Sequence, residues 1–301
     1  MKDHNFSQKE NVLLVGVIYG RLDDEKVHEH LDELSLLTET AGGNVISRVT
    51  QKISKINPSF FIGKGKAEEI IQYAKDLKIT SIIFDDELSP SHLKNYNNLS
   101  KEIKIIDRSM LILEIFKQHA QTKEAKTQVE LAELQYMLPR LTRAWTHLER
   151  QMGGIGTRAG AGETQIEVDR RLVRTRISKL KTDLKKIENE RELQRKRRDN
   201  FFKVTLVGYT NAGKSTLMKA MSGSNVFIQD QLFATLDTTT RLVELDNAHS
   251  IMLSDTVGFV RKLPHHLVAS FKSTLKEVVN SDLILMVLDS SSKQVYDHYK
   301  T

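Results

Sequence analysis

Apolar positions in the first 120 residues fall into short blocks that alternate between two periods. Val12 to Val17 (VLLVGV) is an unbroken apolar run of strand length, and Asp24 to Thr38 then places Val27, Leu31, Leu34 and Leu37 at helical spacing. The alternation repeats. Strands are predicted near Val45–Val49, Ser81–Asp85 and Ile103–Asp107, with helices around Lys66–Leu77, Ser89–Leu99 and Met110–Lys117. This order predicts a small N-terminal α/β domain, residues 1–120, with a largely parallel sheet.

A heptad pattern follows. Leu131, Leu134, Leu138, Leu141, Trp145, Leu148 and Met152 are spaced alternately by 3 and 4, as are Val173, Ile177, Leu180, Leu184 and Ile187 by 4 and 3. Pro139 has no N–H to donate, so a kink or break is expected there. Between the two seams, Gly153 to Glu163 (GGIGTRAGAGE) holds five glycines in eleven positions, too many for a helix. Residues 121–200 therefore read as an antiparallel helical hairpin with a glycine-rich tip at 153–163. From Phe201 the strand pattern resumes, at Lys203–Val207, Thr240–Leu245, Ser250–Leu253 and Asp282–Leu288.

Composition removes several classes of chemistry. The 301 residues include no cysteine, which excludes a disulfide framework, a thiolate metal site and a cysteine nucleophile. MKDHNFSQKEN is too polar for a signal peptide, and no apolar run approaches the roughly 18 residues of a membrane span. A cytoplasmic protein is expected, and a monomer. The net charge of +6 is concentrated: residues 168–200 hold 13 Lys/Arg against 6 Asp/Glu, leaving 32 basic and 33 acidic residues elsewhere. Such a segment is either a solvated helix face or a surface for an acidic partner such as RNA.

The most specific motif is Gly208-Tyr209-Thr210-Asn211-Ala212-Gly213-Lys214-Ser215, which fits G-x-x-x-x-G-K-[ST] directly after one predicted strand and before a helical pattern. Glycines let the backbone wrap an anion, so that its N–H groups and the next helix N-terminus face phosphate. Lys214 would reach the β- and γ-phosphates, and the Ser215 hydroxyl would ligate Mg²⁺. Asp255-Thr256-Val257-Gly258 follows at a strand end, an acid that can hold Mg²⁺ through water and a glycine N–H for the γ-phosphate. Between them, Phe233-Ala234-Thr235-Leu236-Asp237, continuing through Thr238, Thr239 and Thr240, is either a segment closing over that phosphate or a threonine-rich strand edge.

Together with FIGKGKAEEI at 61–70, GGIGTRAGAGETQIEVDRR at 153–171, GYTNAGKST at 208–216, FATLDTTTR at 233–241 and DTVGF at 255–259, these motifs make the chain resemble the HflX family of translational GTPases over nearly its whole length. Thr238 departs from the family's usual proline, and Ala159 and Ala161 interrupt a stretch usually closer to GTRGPGE. The resemblance implies Mg²⁺-dependent hydrolysis of GTP to GDP, coupled to the large ribosomal subunit and its rRNA, in splitting or rescuing stalled ribosomes. By position it implies that Gly208 to Ser215 bind phosphates, that Ser215 and Thr235 ligate Mg²⁺, and that Asp255 to Gly258 sense the γ-phosphate.

Lys214, Thr235 and Asn211 are the candidate catalytic residues. Many GTPases orient the attacking water with a glutamine after D-x-x-G; here Phe259 has no hydrogen-bonding side chain, so intrinsic hydrolysis should be slow. An asparagine at the position of Asn211 can hold K⁺ near the β- and γ-phosphates in such enzymes. Gly63-Lys64-Gly65-Lys66 is either a surface turn or a phosphate site for ATP in the N-terminal domain. The N-K-x-D motif that reads guanine does not occur, so the third domain, 201–301, reads as a P-loop GTPase domain cut short of its base half. The strand at 282–288 would then be an uncovered apolar edge, and guanine selectivity weak. A second class of function remains at this point: an RNA- or ribosome-binding protein with an impaired nucleotide module.

Overall fold

A computed structural model describes residues 10–20, 22–141, 165–196, 201–223, 232–233, 236–245, 249–263 and 277–300. The chain divides into two compact units, 1–115 with 134–175, and 116–133 with 176–301.

In the first unit the apolar runs become a four-stranded parallel sheet: β1 (Asn11–Ile18), β2 (Asn44–Lys52), β3 (Ser81–Phe84) and β4 (Lys104–Asp107), in the order β2-β1-β3-β4. Val12 pairs with Ser81 and Ser81 with Lys104, so the carboxyl ends of β3 and β4 lie level at Phe84 and Asp107. β1 is buried along six consecutive positions, as expected of a central parallel strand covered on both faces. The crossovers are α1 (Asp24–Thr40), α2 (Lys64–Asp76) and α3 (Pro90–Leu99), with α4 (Arg108–His119) leaving β4. Their starts have local causes. Asp23 accepts from the Lys26 N–H at 2.9 Å, while Ser89 and His92 form a reciprocal cap with Pro90 in the first turn.

The level ends of β3 and β4 carry a buried charged network. Arg108 donates to Asp85 at 2.7 Å and to Glu33. Asp107 accepts from the amides of Leu88 and Met110 and from the Tyr136 hydroxyl, each at about 3 Å. Burial nonetheless raises the Asp107 carboxyl above its ordinary range, against those bonds and the nearby Arg140.

The heptad residues form α5 (Lys123–Met137) and α6 (Gln165–Lys196), which contribute to both units. α5 gives way at Leu138–Arg140 to a 3₁₀ turn, where Pro139 removes a donor. The glycine-rich tip, Trp145, Leu148 and Met152 lie outside the described residues.

In the second unit, β5 (Phe202–Gly208), α7 (Lys214–Ser222), β6 (Thr239–Glu244), β7 (Ser250–Asp255), β8 (Leu283–Val287) and the short α8 (Val295–Lys300) follow in order. The sheet order is β6-β7-β5-β8, with β6 antiparallel to β7 and the other pairs parallel. Val204, Leu206, Met218, Val243 and Leu253 form its core. β8 lies at one edge of the four described strands, and Leu283, Ile284 and Met286 are each about half exposed.

Candidate functional site

The phosphate-loop sequence leaves the carboxyl end of β5 and turns into α7, so its chemistry is set by backbone first. A Cβ on Gly208 would sit 2.2 Å from the Val287 carbonyl oxygen, so only glycine lets β5 run this close to β8. Gly213 takes φ +90° immediately before α7, a conformation that favours glycine, and exposed Asn211 takes φ +59° in the loop. The α7 N-terminus then opens with Lys214 and Ser215.

Lys214 is buried, and its Nζ donates to the carbonyls of Gly208 and Tyr209 at 3.1 and 2.7 Å. Burial pulls its ammonium down to about 8, against the opposing pull of Asp255. The Ser215 hydroxyl donates to Asp255 at 2.6 Å, and Asp255 is fully buried at the end of β7. Serine and aspartate from two motifs forty residues apart are thus in direct contact. Thr256 donates to the Leu206 carbonyl at 2.8 Å and fixes the D-x-x-G segment alongside β5.

Gly258 lies on the loop itself: a Cβ there would be 2.4 Å from Thr210 Cα and 2.9 Å from Lys214 Nζ. Two backbone bonds close this contact. The Thr210 amide donates to the Phe259 carbonyl at 2.7 Å and the Phe259 amide to Gly208 at 3.0 Å. Val257 is half-buried beside them and Ala212 half-buried in the loop.

The structure gives the other residues grouped by sequence side-chain partners of their own, and brings Thr210 and Phe233 together. The Tyr209 ring stacks on His298 with centroids 3.9 Å apart, and its hydroxyl accepts from the Arg261 amide. The Thr210 hydroxyl accepts from the Phe233 amide at 2.8 Å, and the buried Phe233 ring packs edge-on against Phe116 of α4. Leu236 is buried. Asp237 joins the start of α5 rather than the loop, accepting from the amides of Gln121 and Thr122 and from the Thr122 hydroxyl. Ala234 and Thr235 lie outside the described residues. In the first unit, Lys64 and Lys66 pair with Glu68 and Glu69 of their own helix at 3.6 and 2.6 Å, so both lysines already have carboxylate partners. Among the described residues no helix is long and apolar enough to cross a membrane, and no group of three or more His, Asp or Glu is arranged to hold a metal.

The comparisons with known proteins bear on this geometry. Three family models match in succession: GTP-binding GTPase N-terminal over residues 28–117, GTP-binding GTPase Middle Region over 119–198, and 50S ribosome-binding GTPase over 203–301. GTPase HflX of Flavobacterium psychrophilum is 53% identical over 289 residues, 96% of this chain and 69% of that protein. The chain belongs to the HflX family of GTPases. GTPase HflX of Escherichia coli is 44% identical over 291 residues, 96% of this chain and 67% of that protein. The chain thus spans about two thirds of the length of these HflX relatives. Among solved structures, SsGBP in complex with GDP superposes with a TM-score of 0.54 at 29% identity, covering 95% of this chain and 74% of that one. A GTP-binding protein of Sulfolobus solfataricus, also with GDP, gives 0.51 at 27%, covering 97% and 75%. As an HflX-family member the chain is a GTP-binding, GTP-hydrolysing enzyme with an α/β architecture.

The side-chain links from Thr210 to Phe233 and from Thr122 to Asp237 were not visible in the sequence. Both join residues distant in the chain and carry no spacing signal.

Proposed function

We propose that the chain hydrolyses GTP in complex with the large ribosomal subunit and that this partner accelerates hydrolysis. The observation that carries the reading is the joined loop and D-x-x-G segment, with phenylalanine where a water-orienting side chain is expected. Lys214 and the loop amides bind the β- and γ-phosphates, and Asp255 to Gly258 report the γ-phosphate. Phe259 is held to the loop by its own backbone and offers the attacking water no side-chain donor or acceptor. Something outside the pocket must then order that water.

The donor set suits Mg²⁺: a serine hydroxyl beside a buried carboxylate is hard-oxygen chemistry, with Ser215 and Thr235 as the proposed ligands and Asp255 acting through water. The ion would neutralise charge on the β- and γ-phosphates. Asn211 is the proposed K⁺ contact.

Two features support the ribosomal partner. The family matched over 203–301 is described as ribosome-binding. Along α6, Arg174, Lys179, Lys181, Lys185 and Lys186 are exposed, and Arg176 pairs with Glu130 at 2.6 and 2.8 Å. That exposed set suits RNA phosphates and predicts binding that weakens steeply with salt.

The test is GTP turnover with and without purified large subunits, in KCl and in NaCl. Stimulation of at least about tenfold by the subunits is expected; equal rates overturn the reading. Equal rates in the two salts remove Asn211 as a K⁺ contact. Residues 202–301 contain no N-K-x-D, so GTP over ATP preference measured on residues 1–301 should stay within about tenfold, far below the 10⁴ or more of a site that hydrogen-bonds its base. A large preference would show that another group reads guanine.

A further inference from the structure

Asp237 and Thr238, just before β6, are fastened to α5 and α6 within the second unit. Thr122 caps α5 through its hydroxyl, which accepts from the Ala125 amide at 3.1 Å. The same hydroxyl donates to Asp237, whose carboxylate also takes the amides of Gln121 and Thr122 at 3.3 and 3.2 Å. A carboxylate is favoured here by the unpaired amides and partial positive charge of a helix N-terminus. One residue on, Thr238 accepts from Arg191 of α6 at 3.2 Å, and Arg191 pairs at 2.6 Å with Glu124 in the first turn of α5. A proline at 238, as the family pattern leads one to expect, could not accept that bond. Phe233 is held separately by Phe116 and Thr210.

We propose that Thr122 and Arg191 are positioning residues for hydrolysis: through Asp237 and Thr238 they tie the segment that follows the phosphate loop to helices α5 and α6, so that a partner bound to the hairpin changes the rate of GTP cleavage. They act by setting where the 236–238 stretch is held, and the same bonds transmit force in the reverse direction, so nucleotide state alters the start of α5. The proposal rests on the ribosome-stimulated reading above for its first consequence and is independent of it for the second.

The experiment uses the full chain and two measurements. In the first, Thr122→Val, Thr122→Ser and Arg191→Gln are compared for GTP turnover with large subunits and for magnesium-free GDP affinity. Thr122→Val and Arg191→Gln should lower stimulated kcat about fivefold or more, with KM for GTP and GDP affinity within about twofold of the parent, and Thr122→Ser should restore kcat. Unchanged kcat, or kcat and GDP affinity falling together, overturns the positioning role. In the second, amide hydrogen exchange at Gln121 and Thr122 is followed without ribosomes, with GDP and with a non-hydrolysable GTP analogue. Protection should differ between the two nucleotides in the parent and become equal in Thr122→Val. Equal protection in the parent overturns the coupling. Nucleotide-dependent protection without subunit stimulation leaves the coupling standing and removes the ribosomal reading.

Discussion

Lys214→Met is expected to lower GTP turnover by about 10³-fold while making the nucleotide-free protein more stable at pH 7. The two effects have one origin. In the free protein the Lys214 ammonium is buried against two loop carbonyls, and its desolvation pulls the group down to about 8. Relative to the ordinary 10.5, that corresponds to roughly 3 kcal/mol at pH 7. Losing the two bonds to Gly208 and Tyr209 offsets part of this, so a net gain of about 1–2 kcal/mol is expected for the apolar isostere. A polyphosphate reverses the sign, because it adds anionic oxygens to the weak pull of Asp255 on the ammonium. Denaturant unfolding without nucleotide, set beside steady-state turnover, checks both halves. Equal or lower stability of the variant would mean that the buried ammonium is not held at a cost.

The pH dependence of the same residue has a definite direction. With its folded value below its unfolded one, Lys214 destabilises the free protein fully below about pH 8, and the penalty fades as pH rises from there towards 10.5. The stability advantage of Lys214→Met should therefore shrink across that window. Bound phosphate raises the group, so nucleotide binding takes up a proton above about pH 8. Affinity for GDP, measured in EDTA to exclude metal, should be flat up to pH 7.5 and about tenfold weaker by pH 9. A flat profile to pH 9 would remove Lys214 from the phosphate site.

The parts of this molecule legible in sequence are those written in periodicity and glycine spacing. The apolar run Val12–Val17 was legible as a strand, which the fold buries at six positions in a row, and Pro139 stopped α5 where its missing donor required. The phosphate loop was legible because Gly208 and Gly213 answer demands of the backbone itself, a close carbonyl at one and φ +90° at the other. Asp237 was grouped with the nucleotide loop because its neighbours are; its partner Thr122 lies 115 residues away, and no local pattern encodes that contact. The network of Arg108, Asp85 and Glu33 was hidden for the same reason. The Gly63–Lys66 stretch at the start of α2 illustrates the converse: Glu68 and Glu69, at helical spacing from the two lysines, already contained the pairing seen in the fold.

Gly258→Ala should cost hydrolysis about 100-fold or more, with a much smaller loss of GDP affinity. The added methyl would fall 2.4 Å from Thr210 Cα and 2.7 Å from its nitrogen, both backbone atoms that no rotamer change can move aside. Either the D-x-x-G segment lifts or the loop yields, and lifting breaks the bonds from the Thr210 amide to Phe259 and from the Phe259 amide to Gly208. The segment that reports the γ-phosphate is then displaced, whereas GDP, which lacks that phosphate, still meets Lys214 and the α7 N-terminus. A stability loss of about 1–3 kcal/mol accompanies the clash. Gly65→Ala is the matched control: a Cβ there meets nothing within 4 Å, and the position is inside α2, so the variant should gain about 0.5–1 kcal/mol with turnover unchanged. Parallel GDP titrations and single-turnover hydrolysis on the two variants decide the matter. If Gly258→Ala cleaves GTP as fast as Gly65→Ala, the contact between Gly258 and the loop belongs to a state outside the catalytic cycle.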